Sequence, residues 1–254
     1  MLEQLLVADV YLFLAVFARM GAAVMVLPGF GELTIPARVR LALALTLSFV
    51  LFPLVVDQIP QMPANAFGLA AFIGGEVLIG VVIGALARIL VSSLQVAGTI
   101  IAFNSGLGSA QLFDPTVGQQ GAITGAFLAT IGVTLLFVTN LHHLMLFALV
   151  DSYQLFVPGG SFPVGDVSNL AAQFVARSFR MGLQIAMPVV VVGVLIYISM
   201  GLMARLMPQI QVFFIALPLQ MLIAFTILAL TIGASMLLFL DQFESAIREF
   251  LIAG

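Results

Sequence analysis

Residues 66–103, AFGLAAFIGGEVLIGVVIGALARILVSSLQVAGTIIAF, carry two charged side chains, Glu76 and Arg88, in 38 positions. A helix rises about 1.5 Å per residue, and about 20 apolar residues cross the ~30 Å of bilayer hydrocarbon. The stretch is therefore too long for one perpendicular crossing. It either continues as a helix beyond the apolar slab or bends near Ser92-Ser93. Its neighbours have the same character. Apolar runs cover Leu5 to Leu27, Val39 to Val56, Gly121 to Val150, Phe179 to Leu206 and Val212 to Leu240, which makes about six segments with the first stretch included. Over all 254 residues, 63% are hydrophobic and 7% charged, with a mean hydropathy of +1.25. A soluble domain has about 25% charged residues, so this chain could not cover a water-facing surface. The expected fold is all-α: one membrane-associated domain over 1–254, of polytopic type, with about six long, kinked helices arranged as hairpins.

The breaks between segments are chemically distinct. Pro28-Gly29-Phe30-Gly31-Glu32 and Ile35-Pro36 predict a turn, because proline lacks the helix donor and glycine tolerates positive φ. Pro60 and Pro63 break the next connection, and Pro158-Gly159-Gly160-Ser161-Phe162-Pro163 is a loop. Met207-Pro208-Gln209 predicts a short, sharp turn between Leu195–Leu206 and Phe213–Leu230. The first positive charge, Arg19, follows Glu3 and Asp9, so the start lacks the basic n-region of a signal peptide and reads as a retained first span. Counted near span ends, Arg38, Arg40 and Arg205 face Arg177, Arg180 and Arg248. The clustering of Arg38 and Arg40 beside two early spans favours cytoplasmic odd-numbered connections.

Several chemistries are excluded. All 8 basic residues are arginines without a run, and the net charge is −3, so no nucleic-acid surface is expected. The chain has no cysteine, which removes disulfides, thiolate metal sites and cysteine nucleophiles. His142-His143 has neighbours that cannot complete the three or four ligands of a metal site, so a packed or hydrogen-bonded histidine is expected. HExxH and GxSxG are absent, and Gly106-Leu107-Gly108 lacks both the third glycine and the strand context of a dinucleotide fingerprint. No cofactor is expected.

The polar residues inside apolar runs carry the remaining information. Glu76 is costly in a hydrophobic helix and must face protein or water. Two readings stay open: a proton or ion relay, and an inter-helix hydrogen bond at an assembly interface. Arg19 and Arg88 each either pair internally or snorkel to an interface. Gly80 and Gly84 form a G-x-x-x-G pair, as do Gly121 and Gly125, which allows close helix approach in lipid. Pro188 and Pro218 favour kinks. Met200, Met203 and Met207 recur at helical spacing and read as a packing stripe or a deformable seal. Asn104-Ser105-Gly106-Leu107-Gly108-Ser109, followed by Ala110 to Phe113 and Asp114-Pro115, is a loop rich in small residues. At membrane depth such a loop is expected only where protein or a water-filled cavity surrounds it.

Read in order, these segments resemble the FliR family of flagellar type III export-gate proteins, whose virulence counterpart is the SctT family. The likeness is carried by Arg19, Leu27-Pro28 and Ile35-Pro36-Ala37-Arg38-Val39-Arg40. It continues through Glu76-Val77-Leu78-Ile79-Gly80 with Gly84, Ala97-Gly98, and Gly106-Leu107 leading to Asp114-Pro115. Asn140 with His142, Leu217-Pro218 and Pro208-Gln209-Ile210-Gln211-Val212-Phe213 complete it. The chain departs from the family at Gln211, where asparagine is usual, and at Leu141, where glycine is usual. It also has less aromatic bulk at Gly108-Ser109.

The resemblance implies a subunit that packs with FliP-like and FliQ-like subunits into a helical export gate. It implies further work with FlhB-like and FlhA-like export proteins, at the flagellar basal body in the bacterial inner (cytoplasmic) membrane. Residues 1–165 would correspond to a FliP-like four-helix part and 166–254 to a FliQ-like hairpin. Unfolded export substrates would pass a channel plugged at rest by the loop holding Asn104, Gly106, Gly108, Leu112, Phe113, Asp114 and Pro115. There the glycines permit rearrangement, Leu112 and Phe113 exclude water and ions, and Pro115 keeps Asp114 extended. Met207, Pro208, Gln209, Gln211 and Phe213 would line a cytoplasmic entrance turn. Arg19, Glu76, Gly80, Gly84, Arg88 and His142 would be inter-helix polar or packing positions. The gate would not be an enzyme. Two rivals remain: a secondary transporter of a small solute with Glu76 as coupling carboxylate, and an intramembrane hydrolase using Ser105 or Ser109.

Overall fold

The computed structural model describes residues 2–106, 120–160, 162–206 and 212–252. Among them the regular structure is helical throughout. The helices are α1 (Leu2–Val26), α2 (Ala37–Val55), α3 (Ala66–Asn104), α4 (Gln120–Val138), α5 (Leu141–Leu155), α6 (Val164–Leu206) and α7 (Val212–Ile252), with a 3₁₀ turn at Val56–Gln58. Among the described residues five helices are long and apolar enough to cross a membrane, and a sixth span results if α4 and α5 count as one bent span. The 39 residues of α3 form one unbroken helix through Ser92-Ser93.

The segment expected as a single span over Gly121–Val150 is instead broken at Thr139-Asn140, where α4 and α5 meet at 76°. Asn140 sits in the left-handed region (φ 61), a conformation asparagine reaches more readily than most residues. Its N–H bonds the Phe137 carbonyl at 3.2 Å and its own carbonyl accepts from His143 N–H at 3.0 Å, so the chain turns without losing its backbone partners. The last two helices are also longer than their apolar runs. α6 begins at Val164 rather than Phe179, and α7 runs to Ile252 rather than Leu240. Helix geometry does not end where the hydrocarbon-like composition ends, and an Arg248–Glu244 pair (2.8 Å) supports the last turns of α7.

The chain divides into two compact units. The first contains Met1–Leu90, Leu136–Phe174 and Glu244–Gly254. Here α1 packs along α2, and α2 touches α5. Its interior holds Val16, Met20, Val24, Leu86, Leu90, Met145 and Leu149. Between α1 and α2 the backbone reverses at Gly29 (φ 80), and Gly31 N–H bonds the Leu27 carbonyl at 2.8 Å. The α1–α3 contact is very close. A methyl on Gly80 would collide with the Arg19 backbone carbonyl, and one on Gly84 would lie 2.8 Å from Val26 Cβ. This is the close approach that the four-residue glycine spacing allows.

The second unit contains Val91–Leu135 and Val175–Phe243. Leu94, Ile101, Leu128, Ile185, Val189 and Phe239 fill its interior. Its α3 and α4 segments meet at Gly98 and Gly125, where a Cβ on Gly98 would strike the Gly125 backbone. Burial is uneven between helices. Of the apolar window in α3, 56% is buried within the chain, against 17% in α2 and 22% in α6. The outer faces of α2 and α6 therefore remain for lipid or other protein.

Candidate functional site

Among the described residues, two polar constellations contain the candidate residues Arg19, Glu76 and Asn104, one in each unit. In the first unit α1 delivers Arg19, which has no solvent exposure. Its Nε donates to Glu76 Oε2 of α3 at 2.6 Å. Nη1 donates to the Ser152 carbonyl (3.0 Å) and hydroxyl (3.2 Å) of α5, and Nη2 to the Phe156 carbonyl (2.9 Å). The guanidinium carbon lies 3.9 Å from the centroid of the Tyr153 ring. A planar fork with several donors suits this task, because one charge can satisfy a carboxylate and two carbonyls while stacking on an aromatic face. The hub joins α1, α3 and the end of α5. Glu76 also lines an open cleft of about 780 Å³, with Phe72, Ile79, Phe156 and Asp166 among its walls.

In the second unit the constellation sits where α3 ends. Gln220 of α7 donates from Nε2 to the Asn104 carbonyl at 2.7 Å. The Asn104 amide folds back to donate to the Ile100 carbonyl at 3.0 Å. Gly106 follows in the left-handed region (φ 82), facing Leu217 and Gln220.

The other candidate residues are placed as follows. Gly80 and Gly84 sit in the α1–α3 contact described above. Arg88 pairs with Glu32 at 3.0 Å at the surface, with both side chains nearly half exposed. His142 opens α5, its ring stacked on Phe137 at 4.8 Å and its Nδ1 3.5 Å from the Leu136 carbonyl. Gly108, Leu112, Phe113, Asp114 and Pro115 lie outside the described residues, as do Met207, Pro208, Gln209 and Gln211. Phe213 lies in the first turn of α7. Among the described residues no group of three or more His, Cys, Asp or Glu could hold a metal ion.

Sequence reasoning singled out Arg19 and Glu76 but missed Ser152, Phe156, Tyr153 and Gln220. Two of these contribute backbone carbonyls to Arg19, which no side-chain pattern reveals. Gln220 did carry a signal: it is the sole amide in the apolar run 212–240, and an amide there needs a partner.

Residues 10–246 match the model of the family described as bacterial export proteins, family 1. The chain is similar to the flagellar biosynthetic protein FliR of Caulobacter vibrioides, at 39% identity over 242 residues, covering 95% of this chain and 96% of that protein. It is 32% identical over 222 residues to the flagellar biosynthetic protein FliR of Bacillus subtilis, covering 85% and 84%. It is 29% identical over 195 residues to the Yop proteins translocation protein T of Yersinia pestis, covering 75% and 74%.

Proposed function

The chain belongs to family 1 of the bacterial export proteins, and from that premise we propose that it is a core subunit of the flagellar type III protein export gate in the bacterial cytoplasmic membrane. The observation that carries this reading is near end-to-end similarity to a flagellar biosynthetic protein, 95% of this chain against 96% of the relative. The chain assembles with FliP-like and FliQ-like subunits and works with FlhB-like and FlhA-like export proteins. The outer faces of α2 and α6 support such assembly. They leave Phe49, Leu54, Phe179, Val191 and Leu202 exposed on a single chain, and an apolar surface of that extent fits a helix-rich partner or lipid. Residues 1–165 form the FliP-like part, and 166–254 the FliQ-like pair of long helices.

Unfolded flagellar proteins pass through a channel in the assembled gate. The segment containing Asn104, Gly106, Gly108, Leu112, Phe113, Asp114 and Pro115 plugs it at rest. The turn with Met207, Pro208, Gln209, Gln211 and Phe213 forms the cytoplasmic entrance. Glu76 acts as a structural anchor in this reading, because its carboxylate is engaged by Arg19 within the same chain. That pairing disfavours a coupling carboxylate of a small-solute transporter.

Affinity purification from native membranes in mild detergent tests the class. The gate predicts two other small apolar subunits in the eluate, whereas a lone monomer that takes up a solute in liposomes would return the protein to the transporters. Deleting 106–113 should raise ion conductance of the assembled gate in a bilayer recording. Unchanged conductance would remove the plug.

A further inference from the structure

The carbonyls of a helix's last turn lack intrahelical donors and need outside partners if they are buried. At the end of α3 that partner is Gln220 Nε2, 2.7 Å from the Asn104 carbonyl, with the glutamine 1% exposed. A second helix of the same unit closes on the same residue. A methyl placed on Gly193 of α6 would sit 3.2 Å from Asn104 Oδ1 and 3.5 Å from its Cβ. Gly106 then leaves the helix at φ 82, where a methyl would come within 3.1 Å of Leu217 Cδ2. The two helices that clasp Asn104 each carry an internal proline close by, Pro188 before Gly193 and Pro218 before Gln220. Proline removes one helical hydrogen bond and lowers the cost of bending there.

We propose that Gln220 is the positioning residue of the gate: its hydrogen bond to Asn104 holds the end of α3 between α6 and α7, and export requires that clasp to part. The proposal rests on the export-gate reading above. Its chemistry suits a switch. The clasp is one neutral hydrogen bond plus close packing at a glycine, and its loss frees one carbonyl and one amide N–H, each of which another neutral group or water can satisfy. A buried charge in that place would have no comparable alternative.

The natural absence of cysteine makes the test clean. In an Asn104→Cys/Gly193→Cys chain the two Cβ positions fall within the about 3.5–4.5 Å that a disulfide needs. The variant replaces the native chain in flagellated cells, with the two single-cysteine chains as controls. Oxidation should yield an intrachain disulfide, seen as a mobility shift without reductant. Export by the oxidised chain should fall to background and return on adding dithiothreitol. Export at equal rates by the oxidised and reduced forms, or no cross-link at all, would overturn the proposal.

Gln220→Met provides an independent arm that keeps volume and removes the donor. It should raise resting ion conductance of the purified gate about tenfold, the ratio one lost hydrogen bond represents, with co-purification of the other subunits unchanged. Native conductance in that variant would also overturn the proposal. The 106–113 deletion separates the two levels. If the deletion leaks while Gln220→Met does not, the clasp is wrong and the gate stands; if neither leaks and the native chain supports no export, the gate itself is wrong.

Discussion

The Arg19–Glu76 hub predicts a specific failure of additivity. Replace Glu76 with methionine, and Arg19 keeps its charge, its burial and its Ser152 and Phe156 acceptors but loses its counter-ion. Breaking a buried pair from one side costs about 3–5 kcal/mol, because the remaining charge is uncompensated. Replace Arg19 with methionine instead, and the Glu76 carboxylate is left in the same position. The Ser152 carbonyl keeps its bond from Phe156 N–H at 2.8 Å, whereas the Phe156 carbonyl loses the donor 2.9 Å away. An orphaned buried carbonyl adds roughly 1–3 kcal/mol, so Arg19→Met costs about 4–8 kcal/mol in all. That is a large part of the 5–15 kcal/mol by which a domain is typically stable.

The double variant carries neither charge. Methionine is flexible enough to fill either space, so the double change leaves mainly the Phe156 term, about 1–3 kcal/mol. The broken-pair penalty appears in both single variants and vanishes in the double one, which sets the coupling at twice that penalty, about 6–10 kcal/mol, well beyond the roughly 0.5–3 kcal/mol of ordinary neighbouring pairs. Thermal unfolding of the purified chain in detergent reads this directly. At roughly 2–4 °C per kcal/mol for a chain of this size, Glu76→Met lowers Tm by about 10 °C, and adding Arg19→Met restores part of the loss. If the three variants add to within about 0.5 kcal/mol, the pair is not the structural unit described here.

Other changes give sharper single outcomes. Tyr153→Phe should leave Tm unchanged or raise it by a few degrees in the same melt, because the buried Tyr153 hydroxyl has no hydrogen-bond partner among the described residues while its ring still faces Arg19. Gly80→Val should cost about 1–3 kcal/mol and lower the yield of folded chain, since its Cβ would meet the Arg19 carbonyl where two helix backbones touch. Arg88→Gln should shift Tm of the isolated chain by less than that, because a surface pair with Glu32 is worth at most about 1 kcal/mol; a large drop would mean that Arg88 has a buried role.

How much of this was legible beforehand depends on the range of each interaction. Helix identity is local: apolar runs such as 66–103 specify helices by length and composition. The limits of α6 and α7 were missed because a helix can extend past its greasy part, as α6 does through Asp166, Asn169 and Gln173. The break at Asn140 was hidden for the opposite reason. The run 121–150 stays apolar on both sides of Thr139-Asn140, and the bend rests on one backbone conformation. Arg19 and Glu76 each stood out as charges in hydrocarbon. Their pairing spans 57 positions of sequence, and two of the acceptors that complete it are main-chain carbonyls, which any residue could supply. Only the fold brings them together.

The two polar constellations differ in what it takes to move them, and that difference bears on mechanism. A chain with so few polar side chains has few ways to distinguish rigid parts from mobile ones, since apolar helix faces slide on one another with similar contacts on either side of a step. Charge is one such way. Arg19 cannot leave Glu76, Ser152 and Phe156 without carrying a bare guanidinium through the interior, so α1, α3 and α5 move as a block in the first unit. Gln220 and Asn104 exchange a single neutral hydrogen bond beside a glycine, with a proline in each neighbouring helix. If the chain forms the proposed export channel, the motion that conducts a polypeptide would concentrate in the second unit, at the end of α3, with the hub in the first unit staying fixed. Hydrogen exchange on the assembled gate should find slow amides around Glu76 and faster ones at Ser105 and Gly106. The reverse order would mean that the charged hub, and not the clasp, is the moving part.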